Sequence, residues 1–150
     1  MSKRGVGTLT AGAVLSLFIA LLHLAMIPIG AEAYDFFTAP ARMIELAHRG
    51  SPLPALATLS VASVFALFGI YALSAADLAP PLPVRRIALI GISGIYLLRG
   101  LIVVPQLLLF MHTSEVPARA LVFSLISLVI GLVYTIGTAL RWAALPNQAM

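Results

Sequence analysis

The chain has no cysteine in its 150 residues. Disulfides, thiolate catalysis and cysteine-bound zinc or iron–sulfur centres are therefore excluded. Charge is scarce as well: Asp, Glu, Lys and Arg make up 9% of the chain, and only five residues are acidic. A soluble domain carries about 25% charged residues and is roughly half apolar. Here 61% of residues are hydrophobic and the mean hydropathy is +1.08. The solvent for most of this chain is lipid. In lipid an exposed Leu, Ile or Val costs nothing, and the backbone must satisfy its own polar groups within helices. Low-complexity segments, a convincing internal repeat and a long polar tail are absent too, so a cytoplasmic effector domain is not expected and residues 1–150 are read as a single transmembrane domain. The net charge of +4 does not gather into a nucleic-acid patch; the basic residues lie at the ends of apolar runs, so no nucleic-acid partner is expected.

Four apolar runs are present, at about residues 8–29, 55–78, 87–111 and 120–142. Each is long enough to cross a bilayer, which takes about 20 residues. Gly30 ends the first run. Ser51-Pro52 opens the second, as an N-cap followed by a proline at the first helical position. Ala79-Pro80-Pro81-Leu82-Pro83 interrupts the chain between the second and third runs, and Thr113-Ser114-Glu115-Val116-Pro117 between the third and fourth. The expected fold is all-α: an integral membrane four-helix bundle with a short amphipathic helix on its outer face.

Orientation follows from Lys and Arg in the short flanks. One side carries Lys3, Arg4, Arg85, Arg86 and Arg141; the other carries Arg42, Arg49 and Arg119, offset by Glu32, Asp35, Glu45 and Glu115. The positive-inside rule places both termini in the cytoplasm, and Trp142 beside Arg141 suits that interface. Ala31-Glu32-Ala33 resembles a signal-peptidase site. The preceding run is longer than the usual ~7–15 residues of a signal peptide, so it is read as a retained first span, and an intact mass distinguishes retention from cleavage after Ala33.

Between the first two runs, Tyr34, Phe36 and Phe37 form an aromatic belt where the chain leaves the membrane. Thr38-Ala39-Pro40 reads as a helix start and Gly50 as its stop, with Arg42, Glu45 and Arg49 on one face and Met43, Ile44 and Ala47 on another. Glu45-x-x-His48 has the spacing of a carboxylate-bridged metal motif but occurs once, on a surface helix, so neither metal nor cofactor is predicted.

Arg99 is the most informative residue. It lies near the middle of the third run, and a guanidinium stays charged in proteins. At bilayer depth it costs at least ~3 kcal/mol on insertion scales. Water, a partner side chain or a bound ligand must therefore solvate it. The third run places Tyr96, Arg99 and Gln106 on one row with Ile92 and Val103. The other runs offer Gly12, Ser16, Ala20 and His23; Ser60, Ser63 and Tyr71; and Ser124, Ser127, Gly131, Tyr134 and Thr138. Such stripes are expected to face inward, because lipid offers them no hydrogen bonds. At 1.5 Å rise per residue, Arg99 lies roughly 18 Å and His23 roughly 22 Å from the inner ends of their runs. The spans are read as free of Asp and Glu, the nearest acids being Glu32 and Asp35. Pro105 frees the carbonyl of Leu101 and Pro28 that of Leu24. Together these features predict a polar cavity in which Arg99, His23, Tyr96, Gln106 and Tyr134 bind a ligand. The competing reading for each is structural: Arg99 as a staple between helices, His23 and the tyrosines as interhelical hydrogen bonders, and the small-residue rows as close-packing surfaces.

Three functions compete. One is an accessory or binding protein holding a lipid, a quinone-like molecule, a small polar or anionic ligand, or a membrane partner subunit. Another is a transporter or channel for an anionic or small polar substrate, which with four spans requires a homodimer. An intramembrane enzyme ranks last, because the runs lack clustered histidines, cysteine and tuned carboxylates. Span one with His23, the outer turn Tyr34-Asp35-Phe36-Phe37, Ser51-Pro52 before span two and Tyr96-Leu97-Leu98-Arg99-Gly100 in span three resemble a group of small four-span bacterial membrane proteins whose activity is not established. In size and topology the chain also resembles the DoxX-like proteins. That resemblance implies a bacterial inner-membrane accessory role, sometimes tied to redox enzymes, and carries over no functional residue.

Overall fold

The computed structural model describes residues 3–113 and 116–145. Ser114 and Glu115, read above as part of a break and of the outer charge balance, lie outside the described residues. The described chain is all-helical: α1 (Lys3–Ile29), α2 (Ala31–Phe36), α3 (Ala41–His48), α4 (Leu53–Ala75), α5 (Arg85–Leu101), α6 (Val103–His112), α7 (Ala118–Arg141) and a terminal 3-10 turn (Trp142–Ala144). Four helical stretches are long and apolar enough to cross a membrane: Lys3–Ile29, Leu53–Ala75, Arg85–His112 and Ala118–Ala144. The protein is a multi-pass membrane protein. Its surface agrees, since Leu21, Leu98, Ile87 and Met111 are all exposed on helices and would be unfavourable in water.

Two compact units can be distinguished: residues up to Leu15 with Phe68 onward, and Ser16–Leu67. In the first, segments of all four long helices pack as a bundle. Small residues allow the helices to approach closely. A Cβ on Gly100 of α5 would stand 2.5 Å from Leu128 Cα of α7, and one on Gly131 would stand 2.9 Å from Leu97. Gly137 of α7 faces Leu9 of α1, and Gly12 of α1 lies under the ring of Tyr134. Tyr134 is fully buried, donates its hydroxyl to the Phe68 carbonyl oxygen of α4 (3.1 Å) and stacks on Tyr96 of α5 (ring centroids 5.6 Å apart). Gly12 and Gly131, each from a small-residue stripe, thus sit at close helix contacts.

The second unit contains the segment between the first two long helices. Gly30 takes φ +80, a left-handed conformation that ends α1 and lets the chain re-enter helix at α2. The aromatic turn expected at Tyr34 to Phe37 is therefore itself mostly a short helix. Helix α3 forms where Pro40 and Gly50 predict it. Ile44 and Ala47 pack against a cluster of Met26, Ala33 and Tyr34, while Arg42, Glu45, His48 and Arg49 are exposed. Glu45 pairs with Arg49 in the i,i+4 order that favours a helix. The Tyr34 hydroxyl accepts a hydrogen bond from Thr58 Oγ1 of α4 (3.2 Å), tying α2 to a long helix. Ser51 acts as the expected cap, its hydroxyl accepting from the Leu53 amide (3.3 Å).

Candidate functional site

Pro105 decides the local geometry of the third long helix. It has no amide to donate to Leu101, and the helix is interrupted at Ile102 between α5 and α6. The Gln106 amide bonds back to Ile102 (3.1 Å) and the helix resumes. Arg99 and Gln106 thus flank a break and both reach α7. The Arg99 guanidinium donates to Ser124 Oγ (2.7 Å), and Ser124 Oγ donates to Gln106 Oε1 (2.7 Å). Ser124 is fully buried, Gln106 is partly buried and Arg99 is exposed. One serine hydroxyl therefore joins both predicted polar residues of α5 and α6. Arg99 donates to Ser124 and Ser124 donates to Gln106, so the relay is directed from guanidinium to amide oxygen.

Arg99 does not point inward as its row predicts. The buried face of α5 is Leu89, Ile92, Ser93, Tyr96 and Gly100, which leaves Arg99 on the flank. The physical reason is the contact at Gly100. The α5 and α7 backbones approach so closely there that no room remains between them for an arginine stem. From that exposed flank the guanidinium still reaches the buried Ser124 hydroxyl.

The other predicted site residues fall elsewhere. Tyr96 and Tyr134 are stacked in the core of the first unit, and Phe68 meets Tyr96 edge-on (5.9 Å). His23 belongs to the second unit. Its Nδ1 donates to the Ile19 carbonyl oxygen of its own helix (2.8 Å), and its ring packs on Phe65 (5.2 Å). Among the five predicted residues the structure joins Arg99 to Gln106 through Ser124, and Tyr96 to Tyr134 directly. In span two the inward stripe fails: Ser60 and Ser63 are exposed and donate to the carbonyls of Leu56 and Leu59 one turn back. A serine in a lipid-facing helix can satisfy its hydroxyl on its own backbone, so it need not face a neighbour.

A polar centre overlooked in the sequence lies at the end of the first unit where α4 finishes and α5 begins. The reading of acid-free spans passes over Asp77, which falls within residues 55–78 but lies just beyond the end of α4. Its carboxylate takes Arg141 of α7 on Oδ2 and Arg85 of α5 on Oδ1 (3.7 Å). Arg141 is 2% exposed and also donates from Nε to the Ala75 carbonyl oxygen (3.2 Å). Ser74 Oγ donates to the Pro80 carbonyl oxygen (2.8 Å) and accepts from the Leu82 amide (2.9 Å), while Arg85 donates to the Ser74 carbonyl oxygen (3.0 Å). The prolines of this loop cannot donate hydrogen bonds, so side chains close it instead. The signal was present in the sequence: an acid between an apolar run and a proline cluster, opposite a terminal Arg.

Comparison of the chain with family models, with curated proteins and with solved structures gives no match.

Proposed function

We propose that this protein is an accessory or binding protein of a bacterial inner membrane, with both termini cytoplasmic. In this reading it holds the polar group of a lipid-like or small anionic ligand at Arg99, with Ser124 and Gln106 orienting the guanidinium. The supporting observation is that guanidinium itself. It stands fourteen residues from Arg85 and thirteen from His112, at mid-length of a helix suited to crossing lipid. It is exposed on the helix, and its described protein partner is one neutral hydroxyl. A guanidinium has five N–H donors, and hydrocarbon supplies no acceptor. A ligand offering oxygen atoms, such as a phosphate, a carboxylate or a quinone carbonyl, meets that need in a planar, two-pronged fashion. The resemblance in size and topology to the DoxX-like proteins points to the same accessory role.

The test is mass spectrometry of small molecules and lipids that copurify with the protein in mild detergent. The wild type is expected to retain a bound species that Arg99→Leu loses and that Arg99→Lys holds more weakly, because Lys keeps the charge but not the fork. Identical bound species in wild type and Arg99→Leu would refute the reading.

A further inference from the structure

Five cations gather at one end of the first unit. Lys3 and Arg4 begin α1, Arg85 and Arg86 begin α5, and Arg141 ends α7. The start of α1 abuts the end of α7, since a Cβ on Gly5 would stand 2.9 Å from Arg141 Cγ. Asp77 is the acid this end holds among the described residues, and both of its oxygens are already engaged, one by Arg85 and one by Arg141. Arg86 is left without a carboxylate. Its NH2 donates to the Trp142 carbonyl oxygen (2.8 Å), and its guanidinium carbon lies 4.8 Å from the Trp142 ring centroid. The cation is held in place by a neutral carbonyl and a π face, neither of which neutralises it.

Its position makes that charge costlier. Arg85 and Arg86 occupy the first turn of α5, where the helix dipole is positive and disfavours cations. That turn holds no acidic residue, and its N-cap, Val84, makes no side-chain bond. The first amides of the helix also lack intrahelical acceptors. Trp142 is 45% exposed beside it, and tryptophan settles at the headgroup level of a bilayer. A fixed cation, a row of free amides and an interfacial indole together suit one partner: a headgroup carrying a negative phosphate.

We propose that Arg86, pinned against Trp142 on the first turn of α5, binds the phosphate of an anionic phospholipid. The site is independent of Arg99. Basic pockets between transmembrane helices select anionic headgroups through the same chemistry. Arg85 serves here as the link to Asp77 and not as a lipid ligand.

The chain's single tryptophan, Trp142, provides the readout. The full-length protein is reconstituted in vesicles of phosphatidylcholine brominated on its acyl chains, which quenches Trp142. Unbrominated phosphatidylglycerol then replaces part of the lipid. In the wild type, fluorescence should recover ahead of the bulk mole fraction, as a preference of about fivefold for phosphatidylglycerol, the effect of one cation near a headgroup. Arg86→Gln should bring the preference to about one, and Arg86→Lys should retain most of it, because a point charge suffices. Recovery in simple proportion in the wild type overturns the proposal, as does an undiminished preference in Arg86→Gln. If inorganic phosphate abolishes the preference where chloride of equal ionic strength does not, the ligand is the free ion and the lipid assignment fails. Should Arg86→Gln not fold, the wild type decides by salt: the preference must shrink as the screening length falls from about 10 Å at 0.1 M to about 3 Å at 1 M, and an unchanged preference at 1 M overturns the site.

Discussion

The Arg99–Ser124–Gln106 relay rests on a single buried hydroxyl. Ser124→Ala removes a donor to Gln106 and an acceptor for Arg99 together. Hydrogen bonds between membrane helices contribute about 0.6 kcal/mol each on average, and up to ~1.7. Ser124→Ala is therefore expected to lower stability by about 1–2 kcal/mol, measured by reversible unfolding in mixed micelles. Ser60→Ala serves as the contrast. That hydroxyl is exposed and bonds only its own helix, so the variant should unfold as the wild type does. Equal losses in both would show that the relay contributes nothing between helices. How much of this was legible is uneven. The period of the third run places Arg99 and Gln106 together, and a helix-four serine stripe containing Ser124 is visible. Which way Arg99 turns is not, because the answer depends on how closely Gly100 lets another backbone approach.

At the scale of elements, the α5–α7 contact depends on glycine. Gly100→Ala would drive a methyl group into Leu128 backbone atoms at 2.5 Å. Backbone cannot rotate away as a side chain does, so the helices must separate. Overpacking of this kind costs about 1–3 kcal/mol. Gly94→Ala on the same helix meets nothing within 4 Å and should be neutral or stabilising by up to about 1 kcal/mol through helix propensity. Thermal unfolding of the two variants side by side tests this; similar midpoints would remove the close contact. Pro105→Ala is expected to restore the Leu101 hydrogen bond and join α5 to α6. Slower hydrogen exchange across the Ile102 break would report it. The proline breaks, the Gly30 and Gly50 stops and the amphipathic α3 all follow from local residue chemistry. Helix α2 was missed because Gly30 looks like a terminator. It is a hinge at which one helix stops and another begins.

For the molecule as a whole, the Asp77–Arg141 pair joins the end of α4 to the end of α7. Arg141 is buried, while the Asp77 side chain is 46% exposed. Removing the acid strands a buried cation; loss of one partner from a fully buried pair costs about 3–5 kcal/mol, and partial exposure of Asp77 reduces that. Asp77→Asn is expected to cost about 1–3 kcal/mol, and the double variant with Arg141→Leu less than the sum of the two singles. Denaturant titration of all four proteins closes the cycle, and additive losses would show that the two residues do not act as a pair.

Composition and period by themselves determined a membrane solvent, four long apolar helices, the breaks between them and the surface helix α3. Each of those depends on properties local in the chain: hydropathy over about 20 residues, a missing amide, a left-handed glycine. Tertiary structure alone decided that Arg99 lies on a flank, that Tyr96 and Tyr134 stack in a core, and that Ser60 and Ser63 face outward. Those outcomes turn on which helix faces meet and how closely. Apolar faces look alike in a sequence when lipid accepts any of them. The choice then falls to close backbone approach at small residues and to the few polar groups that lipid cannot satisfy.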